Sequence, residues 1–137
     1  MMKKIKAKAR VFLNMTKIFL TNIVKDEYCL TAKECEVSAY LLSILGFCER
    51  SIRYCDLGLE KCETTKGIKA SLRMSMALSS LKMKKKHDAE RYFEASLLLL
   101  RDLKDVHTKQ VCNARKSKTR YDKLKTKSGR LSSVSAN

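Results

Sequence analysis

Small side chains recur at matching intervals in two stretches of this chain. They are Ala39, Ser51 and Gly58 in the first stretch and Ala77, Ala89 and Ser96 in the second. Both sets are spaced 12 and then 7 residues apart, and the second set follows the first by 38 residues. Small residues at fixed spacing let the two helices of a hairpin approach closely, and a hairpin that recurs at a fixed period indicates a helical repeat.

The composition and the local signals favour long helices. The 137 residues contain no Pro and only four Gly, whereas turn-rich β folds draw heavily on both residues. Thr31 and Glu34 predict a capping box at the start of one helix, and either Thr64 or Thr65 is expected to cap another. Apolar periodicity predicts helices over 3–25, 32–45, 48–62, 67–83, 87–100 and from 102 onward.

The charge of the chain is strongly basic. It has 30 Lys and Arg against 14 Asp and Glu, for a formal net charge of +16. Such a charge favours acidic partners, which include acidic peptide tails, nucleic acid and an anionic membrane face. The apolar stretch 11–24 is too short and too polar to predict a membrane span. Its Lys-rich start leaves a mitochondrial presequence as an alternative to the cytoplasmic location that we expect.

The chain lacks the residue patterns of an enzyme or a metal site. None of its six Cys forms a Cys-x-x-Cys pair, and Cys48, Cys55 and Cys62 fall seven apart, as core thiols on one helix face would. The two histidines, His87 and His107, have no neighbouring nucleophile or metal-ligand spacing. We therefore expect a non-enzymatic protein with no catalytic residues, no bound metal and no cofactor.

The two hairpins resemble the tetratricopeptide repeat (TPR) family. The matching positions are Ala39, Gly46, Ser51 and Gly58 in one repeat and Ala77, Ala89 and Ser96 in the next, which lacks the Gly. The resemblance implies an all-α fold: a right-handed α-α superhelix of about two and a half TPR hairpins plus a long C-terminal helix. It divides the TPR domain, 1–127, into a partial first repeat (3–25), a second repeat (32–62), a third repeat (67–100) and a trailing helix (102–127), followed by a disordered tail (128–137).

A shorter segment resembles the peptide clamp of some TPR proteins. The run from Ile68 to Arg73 is similar to the Lys-Ala-x-x-Arg segment that opens the third repeat in chaperone-binding immunophilins and in the tetratricopeptide repeat protein nine group. The resemblance implies that Lys69 and Arg73 bind an acidic C-terminal peptide, such as the tail of a cytosolic heat-shock chaperone. Lys69 and Arg73 lie four apart on one helical face, and Arg and Lys are both suited to carboxylates.

Other clamp positions do not carry over from the family. Val37 and Ser38 stand where the second repeat has an Asn, and the first helix of the first repeat is missing. The uncapped helix 3–25 then offers an apolar edge for self-association.

The sequence therefore predicts a TPR adaptor of the co-chaperone type. Two alternatives stay open. One is a nucleic-acid or ribosome-associated protein that uses the basic segment 113–127 with its one aromatic residue, Tyr121. The other is the TPR fragment of a peptidyl-prolyl isomerase.

Overall fold

Six helices make up the part of the chain that the structure describes. This computed structural model describes residues 2–24 and 29–135, with the backbone alone at 2, 11, 12, 15, 18–24 and 128–135. The helices are α1 (Met2–Val24), α2 (Ala32–Leu45), α3 (Cys48–Glu60), α4 (Lys66–Lys82), α5 (Lys86–Asp102) and α6 (Lys109–Ser135). No strand occurs in those ranges, which confirms the predicted all-α class.

Helix α4 lies at the centre of the arrangement. It packs against α2, α3, α5 and α6, while α2 also packs against α1 and α3. Helices α2, α4 and α6 thus form one row with α4 in the middle, and α3 and α5 flank α4. Because α4 is covered by four neighbours, most of its side chains are buried, including Leu72, Met74 and Leu78.

The small residues lie where the helices of each hairpin cross. The Ser51 hydroxyl donates a 2.7 Å hydrogen bond to the carbonyl oxygen of Ala39, which joins α3 to α2. Ala77 and Ala89 are fully buried in one apolar cluster that joins α4 to α5. The prediction that these small residues face each other in two successive hairpins is confirmed.

The third small residue of each hairpin brings the backbones still closer. A Cβ atom on Gly58 would lie 2.8 Å from Leu72 Cδ1 and 3.0 Å from Cys35 Cβ, which is too close for an ordinary contact. Ser96 occupies the matching place in the second hairpin, where its hydroxyl donates a 2.8 Å hydrogen bond to the Ala70 carbonyl. Matching positions of the two hairpins therefore hold the helices together, by a close contact at Gly58 and by a hydrogen bond at Ser96.

Both hairpins turn through a left-handed residue at the same place in the repeat. Gly46 has a φ of 91° and Lys84 has a φ of 62°, and these residues are 38 positions apart. The amide after each turn residue donates a 2.9 Å hydrogen bond to the carbonyl five residues earlier. Phe47 donates to Leu42 in the first hairpin, and Lys85 donates to Ser80 in the second. The second hairpin, which lacks the Gly, thus makes the same helix-ending turn with a Lys.

Hydroxyl side chains fix where the middle helices begin. The capping box of Thr31 and Glu34 at α2 is present as predicted. Thr65 caps α4 by accepting from the Ile68 amide, whereas the Thr64 hydroxyl donates to the Gly58 and Lys61 carbonyls at the end of α3.

The last helix differs from its prediction. It begins at Lys109 and not at residue 102, because the Thr108 hydroxyl accepts from the Val111 amide and because residues 103–106 form hydrogen-bonded turns. It continues through 128–135, which the sequence predicted as a disordered tail; residues 136–137 lie outside the described chain. The prediction for Cys62 was also wrong: α3 ends at Glu60, so Cys62 is exposed while Cys48 and Cys55 are buried.

Candidate binding surface

A buried carboxylate lies at the junction of α2, α4 and α6. The Glu36 side chain on α2 is only 2% exposed. Its Oε1 atom accepts a 2.6 Å hydrogen bond from the Ser71 hydroxyl on α4 and a 3.1 Å hydrogen bond from Asn113 Nδ2 on α6. One carboxylate therefore connects three helices that are far apart in the sequence.

The surroundings of Glu36 act on its proton affinity in two directions. Burial raises the pKa of the Glu36 carboxyl, because the charged form loses its hydration. The hydrogen bonds from Ser71 and Asn113 oppose that rise, as do the positive charges of Lys109 and Lys33. Both of these lysines are exposed, so a positive surface lies next to the buried carboxyl group.

Helix α6 carries a stripe of five basic residues and one Asn on the side that meets α2. The stripe follows helical spacing and consists of Lys109, Asn113, Lys116, Arg120, Lys123 and Lys127. Two of its members fix its direction. Asn113 binds Glu36, and the Cζ atom of Arg120 lies 5.6 Å from the centroid of the Tyr40 ring on α2. The other four members of the stripe are exposed lysines.

The C-terminal ends of α2 and α4 are tied together beside this stripe. The Ser79 hydroxyl donates to the Ser43 hydroxyl at 3.1 Å, and Lys82 Nζ donates to the Ser43 carbonyl at 2.6 Å. Lys82 thereby adds a second hydrogen bond to a carbonyl at the end of α2, which also accepts from the Gly46 amide at 3.2 Å. Burial lowers the pKa of the Lys82 ammonium, and the positive charge of Arg120 lowers it further.

We define the basic face as Lys33, Lys109, Lys116, Arg120 and Lys123. Four ion pairs between described residues lie elsewhere, between Lys66 and Asp102, Arg91 and Asp88, Lys118 and Asp122, and Lys125 and Glu90. The acidic side chain that the structure brings to this face is the buried Glu36. Acidic residues of the described chain therefore neutralise little of the positive charge on the basic face.

The predicted clamp residues lie on another side of α4. Lys69 is exposed and Arg73 is half-buried, and the two share one face of the helix as expected. Lys69 and Ser71 are two residues apart, which at about 100° per residue places them on nearly opposite sides of α4. Since Ser71 reaches Glu36, Lys69 and Arg73 lie away from the basic face, and their binding of a peptide stays a prediction.

The remaining candidates from the sequence are dispersed. His87 and His107 are both exposed, and the described residues hold no cluster of His, Cys, Asp and Glu that suits a metal ion. Tyr121 is fully buried with its ring stacked on Phe93 at 4.2 Å, so it does not offer a surface on which a base could stack. Within the described chain, no helix has the length and hydrophobicity to cross a membrane.

The basic segment 113–127 of the sequence contains Lys116, Arg120 and Lys123, but the sequence did not indicate that this segment packs toward α2, with Lys109 and Lys33 near the buried Glu36. The i, i+7 spacing of Asn113 and Arg120 was a usable signal, because it places both on one face of α6. The burial of Glu36 had no such signal, since Glu is common on exposed helix surfaces. In comparisons with known proteins, no family model, no curated protein and no solved structure matches this chain.

Proposed function

We propose that this protein is a non-enzymatic adaptor whose helices stack as a TPR-like superhelix and bind an acidic segment of a partner protein on the basic face. One observation carries the proposal. The basic face exposes five basic side chains on α2 and α6. Lys33 and Lys109 lie near Glu36, Arg120 lies over the Tyr40 ring, and Glu36 itself is buried and already bonded to Ser71 and Asn113.

The geometry suits carboxylates on an extended peptide. Lys33 and Lys109 lie near one end of the row and supply compact charges, while Arg120 supplies a planar guanidinium that forms paired hydrogen bonds to a carboxylate. The Tyr40 ring holds the Arg120 side chain in place, which lowers the entropy lost when a ligand binds. Because these residues sit on packed helices, their backbone positions keep a fixed spacing.

The clamp suggested by the sequence would bind the same class of ligand on a different face. Lys69 and Arg73 on α4 are expected to engage the free carboxylate of a C-terminal peptide, such as a chaperone tail. Because the two faces are distinct, variants at one face and at the other show which of them binds the peptide.

The test is the affinity for a fluorescein-labelled peptide rich in Glu and Asp, measured by fluorescence anisotropy at physiological ionic strength. We expect Lys109→Glu/Arg120→Glu to weaken binding by about tenfold or more, since charge reversal replaces two attractions with repulsions. A matched control is Arg101→Glu/Lys104→Glu, which makes the same change in net charge at exposed sites on and just after α5.

Each outcome of this experiment has a meaning for the proposal. Weakening by the Lys109/Arg120 variant alone supports the basic face, and equal weakening by the control contradicts it. Loss of binding only in Lys69→Ala/Arg73→Ala, together with a preference for a free over an amidated peptide terminus, assigns the ligand to the clamp. Tighter binding of duplex DNA than of the peptide, with a steep salt dependence, favours the nucleic-acid alternative.

A further inference from the structure

Two large apolar side chains are exposed beside the turn between α2 and α3. Leu45 is 57% exposed and Phe47 is 55% exposed, on either side of Gly46. Exposed apolar residues are common singly, but two that flank one turn place apolar surface at the end of a helical hairpin. Neither side chain belongs to the basic face.

The lysine-rich turn between α4 and α5 lies at the same end of the molecule. Ser79 and Lys82, near the end of α4, bond to Ser43, near the end of α2, at 3.1 and 2.6 Å. The left-handed Lys84 then reverses the chain, and Lys84, Lys85 and Lys86 are all exposed. We call Leu45, Phe47 and these three lysines the tip.

The acidic residues near the tip do not neutralise it. Asp88 pairs with Arg91 at 3.4 Å. Glu49 is exposed, and within the described chain it forms no ion pair with these lysines. Three exposed lysines without an ion pair in the described chain therefore lie at the same end of the molecule as two exposed apolar side chains.

We propose that the tip docks this protein on an anionic membrane surface. Leu45 and Phe47 enter the boundary between the headgroups and acyl chains, while Lys84, Lys85 and Lys86 contact lipid phosphates. The pairing of exposed apolar side chains with adjacent lysines is what distinguishes a lipid surface from an acidic peptide, which needs the charges alone. Such docking leaves the basic face on α2 and α6 free for a protein partner.

A single-tryptophan variant tests the proposal directly, because the chain contains no Trp. Phe47→Trp is expected to shift its emission to the blue when phosphatidylcholine vesicles containing phosphatidylserine are added, and to be quenched by lipids brominated on their acyl chains. Leu98→Trp is the control, since Leu98 on α5 is equally accessible at 61% and lies outside the tip. It is expected to show neither response.

Charge variants then show whether vesicle binding depends on the lysines of the tip or on the net charge of the whole chain. Changing Lys84, Lys85 and Lys86 to Gln is expected to weaken vesicle binding by about tenfold or more. Changing Lys66, Arg101 and Lys104 to Gln removes the same net charge from exposed sites elsewhere and is expected to weaken vesicle binding less than about twofold. Equal loss in both variants, no blue shift in the Phe47→Trp variant, or equal binding to pure phosphatidylcholine overturns the proposal.

Discussion

At the scale of single residues, the burial of Glu36 costs free energy and fixes the alignment of three helices. A carboxylate that is 2% exposed loses most of its hydration, and two hydrogen bonds and two nearby lysines compensate for part of that loss. In exchange, one side chain specifies how α2, α4 and α6 are aligned. Buried polar groups that fix register in this way commonly reduce stability.

Replacing Glu36 with Gln should therefore stabilise the protein at neutral pH. The folded-state pKa of Glu36 lies above its unfolded value, so between these two values the folded state binds more protons than the unfolded state. The free energy of unfolding of the wild type then falls as pH rises through that window. Glu36→Gln keeps an oxygen acceptor for Ser71 and removes this dependence, with a gain on the order of 1 kcal/mol at pH 7.

Urea denaturation of both proteins between pH 4 and pH 8 checks this prediction. The difference in unfolding free energy should be small at the acidic end and should grow with pH. Glu63 has the opposite effect on the pH dependence of stability. A hydrogen bond from the Ala32 amide lowers the pKa of Glu63, so the stability that Glu63 contributes is lost only as pH falls below the ordinary carboxyl range. A constant difference across the whole range would contradict the assignment.

Tyr121 provides a second prediction at the scale of one side chain. Its ring stacks on Phe93 in the cluster of Ala77 and Ala89, but its buried hydroxyl has no hydrogen-bond partner among the described residues. Tyr121→Phe should leave stability unchanged or raise it slightly, because it removes an unpaired polar group. Tyr121→Ala should lower the unfolding free energy by about 3–5 kcal/mol. Thermal unfolding of the two variants tests this, and a large loss in Tyr121→Phe would reveal a partner for the hydroxyl.

At the scale of helices and turns, the 38-residue offset extends beyond the small residues. It relates Gly46 to Lys84, both of which are left-handed, and it relates the Gly58 contact to the Ser96 hydrogen bond. Left-handed backbone costs a non-glycine residue about 1–2 kcal/mol, so Lys84 is a strained copy of Gly46.

Substitutions at these two turn residues should change the unfolding free energy in opposite directions. Lys84→Gly should raise the unfolding free energy by up to about 1 kcal/mol, and Gly46→Ala should lower it by about 1 kcal/mol. A Cβ atom on Gly46 would meet nothing within 4 Å, so that loss would come from the backbone alone. Chemical denaturation of both variants measures the pair, and a loss of stability in Lys84→Gly would show that the Lys84 side chain makes a compensating contact.

At the scale of the whole molecule, local sequence signals predicted the helical hairpins but did not predict the binding surface. The spacing of Ala39 and Ser51, the capping box at Thr31 and the absence of Pro were enough to predict helical hairpins. The row of α2, α4 and α6 depends on contacts such as the hydrogen bond between Asn113 and Glu36, 77 residues apart, and no local periodicity encodes such a distance. For the same reason, residues that share a helical face, such as Lys69 and Arg73, gave no information on which neighbour that face meets.

The row of α2, α4 and α6 is the claim on which the basic face depends, and a double-mutant cycle between Glu36 and Asn113 tests it most directly. Unfolding free energies of Glu36→Ala, Asn113→Ala and the double variant give their coupling, with the wild type as reference. Residues in direct hydrogen-bonded contact should show a coupling of about 0.5–3 kcal/mol. Additive effects, with a coupling no greater than about 0.3 kcal/mol, would show that Asn113 on α6 does not contact Glu36 on α2 and would contradict the account.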